Sequence, residues 1–157
     1  MVRLLEEARI QAFWATDPAE QGESAPSTAS SPSSPSTPNT AQAARAAGAS
    51  TAVLDASPGA DTLTLIARQE IEYLAPVPYL RRPLDVELWL GKLGGASLEV
   101  CYEVYSPEGA APRILFARAA TTIVLVDAAS QQPRRMREGE RTAWEPYLGE
   151  PLAFRRS

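Results

Sequence analysis

Apolar and polar residues alternate over residues 62–128, and this alternation leaves little choice but a β-sheet. Side chains of a strand point to opposite faces in turn, so a period of two predicts strands with one buried face. Three alternating runs and one longer, largely apolar run fit this pattern: TLTLIARQEIEYL, LDVELWLGKL, SLEVCYEVYS and RILFARAATTIVLVDA. Prolines in APVPYLRRP end the first run, and Gly94-Gly95 supplies a turn between the second and third. The sequence therefore predicts four mostly antiparallel strands, the last one covered on both faces.

The first 15 residues, MVRLLEEARIQAFWA, predict a helix that is apolar on more than one side. At about 100° per residue, one apolar stripe contains Met1, Leu4, Leu5, Ala8, Ala12 and Ala15. Other apolar residues lie elsewhere around the helix, namely Ile10, Phe13 and Trp14. A helix of this kind is expected to be wrapped by a sheet or buried at a subunit contact.

Two further segments complete the organisation of the chain. Residues 17–59 are rich in Pro, Ser, Thr and Ala, and they predict a disordered low-complexity insertion after the helix. A phosphorylated or partner-binding linker is the alternative reading of the same segment. REGERTAWEPYLG predicts a short helix over 137–148, with Ala143, Trp144 and Leu148 as docking residues.

Composition limits the classes of function that this chain can serve. Its 157 residues fit one domain, and a net charge of -4 disfavours binding to nucleic acid. The chain contains no histidine, so it cannot build Ser-His-Asp, Cys-His or His-metal sites from its own residues. The lone Cys101 allows no intrachain disulfide, and no membrane span or signal peptide is predicted, so the cytoplasm is the expected compartment.

Three segments together carry a resemblance to a known family: LLEEARIQAFW, IEYLAPVPYLRRPLDVELWLGKLGGASLEVCYEVYSPEG and ARAATTIVLVDAASQQPRRM. Their order and spacing resemble the hotdog-fold acyl-CoA thioesterases of the 4-hydroxybenzoyl-CoA thioesterase-like family. The match covers residues 1–15 and about 62–148 and leaves 17–59 as an insertion. The resemblance implies an α+β hotdog domain over 1–157, in which an antiparallel sheet wraps around a central helix.

Members of that family usually begin with an outer strand and a loop of the pattern Asp-x-Asp-x-x-Gly-His-x-Asn. This sequence contains neither, and Met1 falls inside the expected helix. We expect that Met1 is an internal methionine of a longer reading frame; the alternative is a shortened protein. The usual catalytic carboxylate lies in that loop, so the resemblance implies impaired activity for the chain as written.

The resemblance implies hydrolysis of an acyl-CoA to a free acid and CoA, without a metal or redox cofactor. Some hotdog thioesterases use a helix carboxylate instead of the loop residue, which makes Glu6 and Glu7 the catalytic candidates. Glu6 ranks first because it matches the more regular glutamate of the family. The alternative is structural, since Arg3-Glu7 and Glu6-Arg9 have the spacing of ordinary helix ion pairs.

Three further residues are candidates for substrate binding by the same resemblance. Ser97 stands where the family often carries a hydroxyl residue, and it could orient water or the thioester. Arg81 and Arg82 could contact CoA phosphates through charge-assisted hydrogen bonds. A solvated serine and plain surface arginines are the competing interpretations.

Because active sites in this family lie between subunits, the resemblance also implies a homodimer or homotetramer that binds acyl-CoA. The rival functions are a noncatalytic hotdog module for acyl-CoA binding or assembly, and an interaction protein that acts through residues 17–59.

Overall fold

The computed structural model describes residues 1–15, 54–55 and 59–155. Its elements in chain order are α1 (Val2–Phe13), β1 (Trp14–Ala15), β2 (Leu54–Asp55), β3 (Thr62–Tyr73), β4 (Asp85–Leu93), β5 (Ser97–Tyr105), β6 (Leu115–Asp127), α2 (Glu138–Trp144) and a 3-10 turn (Glu145–Tyr147). The insertion predicted over 17–59 lies outside the described residues, apart from residues 54–55 and 59.

The main sheet has four antiparallel strands in the order β3-β6-β5-β4. The long apolar strand β6 lies between β3 and β5, so both of its edges are hydrogen-bonded. Its length lets it cover the whole of β3, from Asp127 opposite Thr62 to Ala117 opposite Tyr73. The four predicted strands are therefore present, and the longest of them is central.

The two faces of the sheet differ sharply in chemistry. One face, called the inner face, carries buried residues of β5 and β6: Leu98, Val100, Tyr102, Val104, Ala117, Ala119, Thr121, Ile123 and Leu125. The outer face carries ion pairs, among them Arg118–Glu72 and Arg113–Glu87. Helix α1 packs against the inner face, where its buried residues join the apolar side chains of β5 and β6.

Helix α1 buries a narrower line of residues than the sequence indicated. Leu5, Arg9 and Phe13 are its buried residues, spaced four apart along one side. Met1, Leu4 and Ala12 pack beside this line only in part. Of the apolar residues outside the predicted stripe, Phe13 is buried within this chain at 2% exposure, whereas Ile10 is 46% exposed.

A short parallel ladder follows the helix. Trp14 pairs with Leu54, and Ala15 pairs with Asp55. The helix ends at Phe13, so the expected last two helical residues are extended instead. The residues that follow the helix therefore lie beside residues 54–55.

The C-terminal segment returns to the sheet at β4. The Gly149 amide donates to the Leu90 carbonyl at 2.8 Å, and Trp89 Nε1 donates to the Glu150 carbonyl at 2.8 Å. Trp144 is buried as predicted, but Leu148 is 40% exposed and does not dock. The reason is that Leu148 meets β4 through its backbone, in an isolated parallel bridge with Leu90. No helix within the described ranges is long and apolar enough to cross a membrane.

Glu140 anchors α2 to the sheet through a buried ion pair. Arg134 Nη1 donates to Glu140 Oε2 at 3.0 Å, Arg134 Nη2 donates to the other carboxylate oxygen, and the Arg137 amide donates to Oε2 at 2.8 Å. Burial raises the pKa of Glu140, but the bonds from Arg134 and Arg137 outweigh it and hold the pKa below its ordinary value.

Glu140→Gln is therefore expected to lower the free energy of unfolding by about 2 kcal/mol near pH 7, since a charge-assisted bond is lost. A lowered folded-state pKa contributes stability above the unfolded pKa, and this contribution is lost as pH falls through the folded pKa. The wild type should thus approach the variant in stability as the carboxylate protonates in acid. Urea titrations from neutral to acidic pH measure this, with the exposed Glu138→Gln as control. A stability gap that stays constant down to pH 3 would contradict the assignment.

Candidate active site

Glu6 and Glu7 both lie exposed on α1. Neither of the ion pairs expected for them is present: the pairs among the described residues include neither Arg3–Glu7 nor Glu6–Arg9. The second pair does not form because Arg9 turns towards the sheet and is 5% exposed. The two carboxylates are thus left accessible to water and to a ligand.

Ser97 is the first residue of β5 and is partly buried against the β4-β5 turn. The Gly94 amide donates to the Ser97 carbonyl at 2.7 Å. A Cβ atom at Gly94 would lie 2.8 Å from Ser97 Oγ, so the close approach of this hydroxyl requires glycine there. The hydroxyl is held against the turn.

Arg81 and Arg82 lie exposed in the loop between β3 and β4. Arg82 Nη2 donates to the Glu108 carbonyl and ties this loop to the β5-β6 connection. The β4-β5 hairpin separates these arginines from Ser97 by the length of a nine-residue strand, about 25 Å. The structure therefore does not bring Ser97 and the arginines together in one chain.

The inner face of β3 is left partly open beside the helix. Ile66 is 51% exposed and Tyr73 is 62% exposed, although both lie on the same face as the buried core of β6. Gln69 and Ile71, between them, are partly buried. We call this strip of Ile66, Gln69, Ile71 and Tyr73 the inner groove; it is largely apolar and has one amide in its middle.

A row of polar side chains runs from the inner groove into the core. Gln69 Nε2 donates to Thr121 Oγ1 at 3.2 Å. The Tyr102 hydroxyl and the buried side chain of Arg9 lie beyond Thr121. Burial raises the pKa of Tyr102, and the opposing effect of Arg9 and Thr121 is smaller. The hydroxyl therefore keeps its proton at neutral pH. We call Gln69, Thr121, Tyr102 and Arg9 the polar row.

The polar row was not predicted from the sequence. The spacing of Glu6 and Arg9 indicated an ordinary helix ion pair, and Tyr102 stands within an alternating strand pattern that favours an apolar face. A signal did exist, because Arg9 stands at i+4 from Leu5 and i−4 from Phe13 on the side that became buried. A charged residue in the middle of a buried helix line points to a polar group beneath it.

A cavity of about 670 Å³ opens on the outer face of the sheet. The strands β3, β5 and β6 contribute Arg68, Glu70, Glu99 and Thr122 to its walls, and the C-terminal segment contributes Leu152 to Arg155. The sheet separates this cavity from α1, so it cannot hold a group on which Glu6 or Glu7 acts.

Residues 1–144 match the family model of the Thioesterase-like superfamily. The chain belongs to this superfamily. The match spans α1, the sheet and the whole of α2, so the resemblance drawn from the sequence is confirmed. The antiparallel sheet packed on one helix is accordingly the hotdog fold of these proteins.

Solved structures agree on the fold of this superfamily member. The YbaW probable thioesterase from Escherichia coli shares 16% identity, covers 94% of this chain and 82% of its own, and superposes with a TM-score of 0.54. The PA5185 protein from Pseudomonas aeruginosa shares 21% identity over 60% of this chain and 63% of its own, with a TM-score of 0.52. A thioesterase superfamily protein from Jannaschia sp. CCS1 shares 13% identity over 63% and 61%, with a TM-score of 0.53. The chain thus spans less than two thirds of the last two proteins. No curated protein matches it.

Proposed function

We propose that this superfamily member hydrolyses an acyl-CoA thioester to a free acid and CoA. The observation that carries the proposal is the inner groove, a largely apolar strip left open beside a helix with two exposed carboxylates. An acyl chain lying in that groove would bury the exposed surfaces of Ile66 and Tyr73, which favours binding.

Chemistry at the thioester would use both the backbone and a side chain of α1. The resemblance implies that backbone amides at the start of the hotdog helix face the thioester carbonyl. Such donors, with the helix dipole, stabilise negative charge that develops on a thioester oxygen. Glu6, about one turn along, would take a proton from water as the water oxygen attacks the carbonyl carbon and the carbon–sulfur bond breaks. The proton then passes to the CoA thiolate.

The candidate substrate-binding residues lie at opposite ends of the β4-β5 hairpin, with Arg81 and Arg82 at one end and Ser97 at the other. We assign Arg81 and Arg82 to the phosphates of CoA, because their loop is exposed and carries two formal positive charges. Ser97 cannot contact the same part of a substrate from the same chain, given the strand length between them. Ser97 would instead contact a thioester bound by a partner subunit.

The proposed state in solution is a homodimer paired through β3. This strand is the edge of the sheet and exposes Leu63 (42%) and Leu65 (56%) on its outer face. Unpaired edges with exposed apolar side chains favour pairing with a second chain. Leu65→Glu is expected to convert the dimer to a monomer in light scattering coupled to gel filtration. The exposed Tyr79→Glu, in the β3-β4 loop, is the control, and an unchanged mass for Leu65→Glu would contradict pairing through this strand.

The proposed activity is tested by release of free thiol from short, medium, long and aromatic acyl-CoAs. Turnover of at least one ester well above the uncatalysed rate is the expected result. Absence of release from every ester would remove the proposal of hydrolysis. Equilibrium binding of CoA under the same conditions separates a noncatalytic protein from one that does not bind CoA at all.

A noncatalytic acyl-CoA-binding module is the second candidate function. The observation in its favour is that Glu6 and Glu7 are both exposed, whereas a catalytic carboxylate gains from a water-excluded setting. This candidate predicts binding of CoA thioesters without thiol release. In either case we assign the protein to the cytoplasm, since its one cysteine is a free buried thiol.

A further inference from the structure

The polar row holds two buried polar atoms whose hydrogen-bonding capacity is unmet within the described residues. Arg9 Nη1 and the Tyr102 hydroxyl are both fully buried, and neither finds a hydrogen-bond partner in the described part of the chain. Arg9 and Thr121 lie within hydrogen-bonding reach of the Tyr102 hydroxyl, but neither contact has good hydrogen-bond geometry. Among the described residues, no acceptor with good hydrogen-bond geometry stands where these side chains converge.

An acceptor at this point should carry negative charge. Arginine has donors only and stays protonated, and none of the ion pairs among the described residues involves Arg9. The carboxylates on its own helix, Glu6 and Glu7, are exposed rather than turned inwards. An unpaired buried cation is costly, so a site of this composition suits a carboxylate, which accepts two parallel bonds from a guanidinium.

The inner groove gives such a ligand a way in. Gln69 lies in the groove and is only partly buried, and its single bond to Thr121 is long at 3.2 Å. A carboxylate that displaced the Gln69 amide from Thr121 would meet the Thr121 hydroxyl first and the deeper donors of Tyr102 and Arg9 next. The exchange costs one weak hydrogen bond and supplies an acceptor to the unpaired donors.

We propose that the polar row binds a carboxylate at the far end of the acyl group, so that the preferred substrates are CoA monothioesters of dicarboxylic acids. This inference rests on the proposed thioesterase function and names its substrate class. The apolar part of the groove holds the methylene chain, and Arg9 with Tyr102 holds the terminal carboxylate. An acyl chain ending in a methyl group leaves the same donors unpaired and binds more weakly.

Binding of nonhydrolysable thioethers tests the inference without relying on turnover. Isothermal titration compares S-alkyl-CoA with the S-carboxyalkyl-CoA of equal carbon number, in pairs of four, six and eight carbons. The wild type is expected to bind the carboxylated member at least tenfold more tightly at one or more lengths. Arg9→Met should abolish that preference, and the isosteric Tyr102→Phe should reduce it at least threefold.

Arg3→Met is the matched control, because it removes the same charge from an exposed position on the same helix. It should leave the preference intact. Equal affinity within every pair, or a preference that survives both Arg9→Met and Tyr102→Phe, would overturn the inference while the proposed thioesterase function stands. A preference lost equally in Arg3→Met would reveal general attraction to positive charge and would also overturn it. Failure of all the thioethers to bind would remove the proposed function and the inference together. Circular dichroism verifies folding, and Tyr102→Phe retains the test if Arg9→Met does not fold.

Discussion

Replacing Trp144 with alanine is expected to lower the free energy of unfolding by about 4 kcal/mol, because it removes a fully buried ring from the core. The indole packs edge-on against Phe13, with ring centroids 5.8 Å apart and planes at 87°. Phe13 is the last residue of α1, so this contact joins the two helices. A loss of this size is a large part of the roughly 5–15 kcal/mol that stabilises a typical domain.

Urea unfolding followed by circular dichroism measures this loss. Tyr79→Ala is the control, because Tyr79 is 96% exposed and its removal should change stability by no more than about 0.5 kcal/mol. A change below about 1 kcal/mol for Trp144→Ala would mean that the helix contact contributes little to folding.

Replacing Glu6 with glutamine is expected to lower kcat about 10²- to 10⁴-fold, the usual contribution of a general base. The substitution keeps the shape of the side chain and removes only its charge and basicity. Because substrate is held elsewhere in the proposed mechanism, KM should change little, and kcat and kcat/KM should fall together. Steady-state thiol release with the best acyl-CoA of the panel measures both constants.

Glu138→Gln is the control for that experiment, since Glu138 is exposed on α2 and has no part in the proposed chemistry. Glu7→Gln is measured in parallel because Glu7 is the other catalytic candidate. Full turnover in Glu6→Gln with a loss in Glu7→Gln would transfer the role to Glu7. Full turnover in both variants would rule out catalysis by a helix carboxylate.

Periodic patterns were sufficient for the sheet and for the existence of both helices. A strand such as β5 alternates strictly, and only one register puts its apolar residues on the buried face. The central strand was also predictable, because β6 is apolar on both faces over most of its 13 residues.

Details that depend on contact geometry were harder to predict from the sequence. Ala8 and Ala12 belong to a stripe by angle alone, yet the line through Leu5, Arg9 and Phe13 meets the sheet. An angular plot gives every apolar residue equal weight, whereas the packed helix turns its bulkiest side chains into the space between strands. Leu148 was misplaced for a similar reason, because a backbone bridge to Leu90 fixes its position rather than its side chain.

Residue periodicity and the order of local segments were enough to predict the four strands, their antiparallel pairing, the two helices and the superfamily. Which groups meet at a site depends on the packing of the folded chain. That packing turned Arg9 inwards to Tyr102, left the inner face of β3 open and separated Ser97 from Arg82 by the length of a strand. The physical reason is that these relations join residues far apart in the chain, whose distances are set by how strands and helix pack rather than by any local preference.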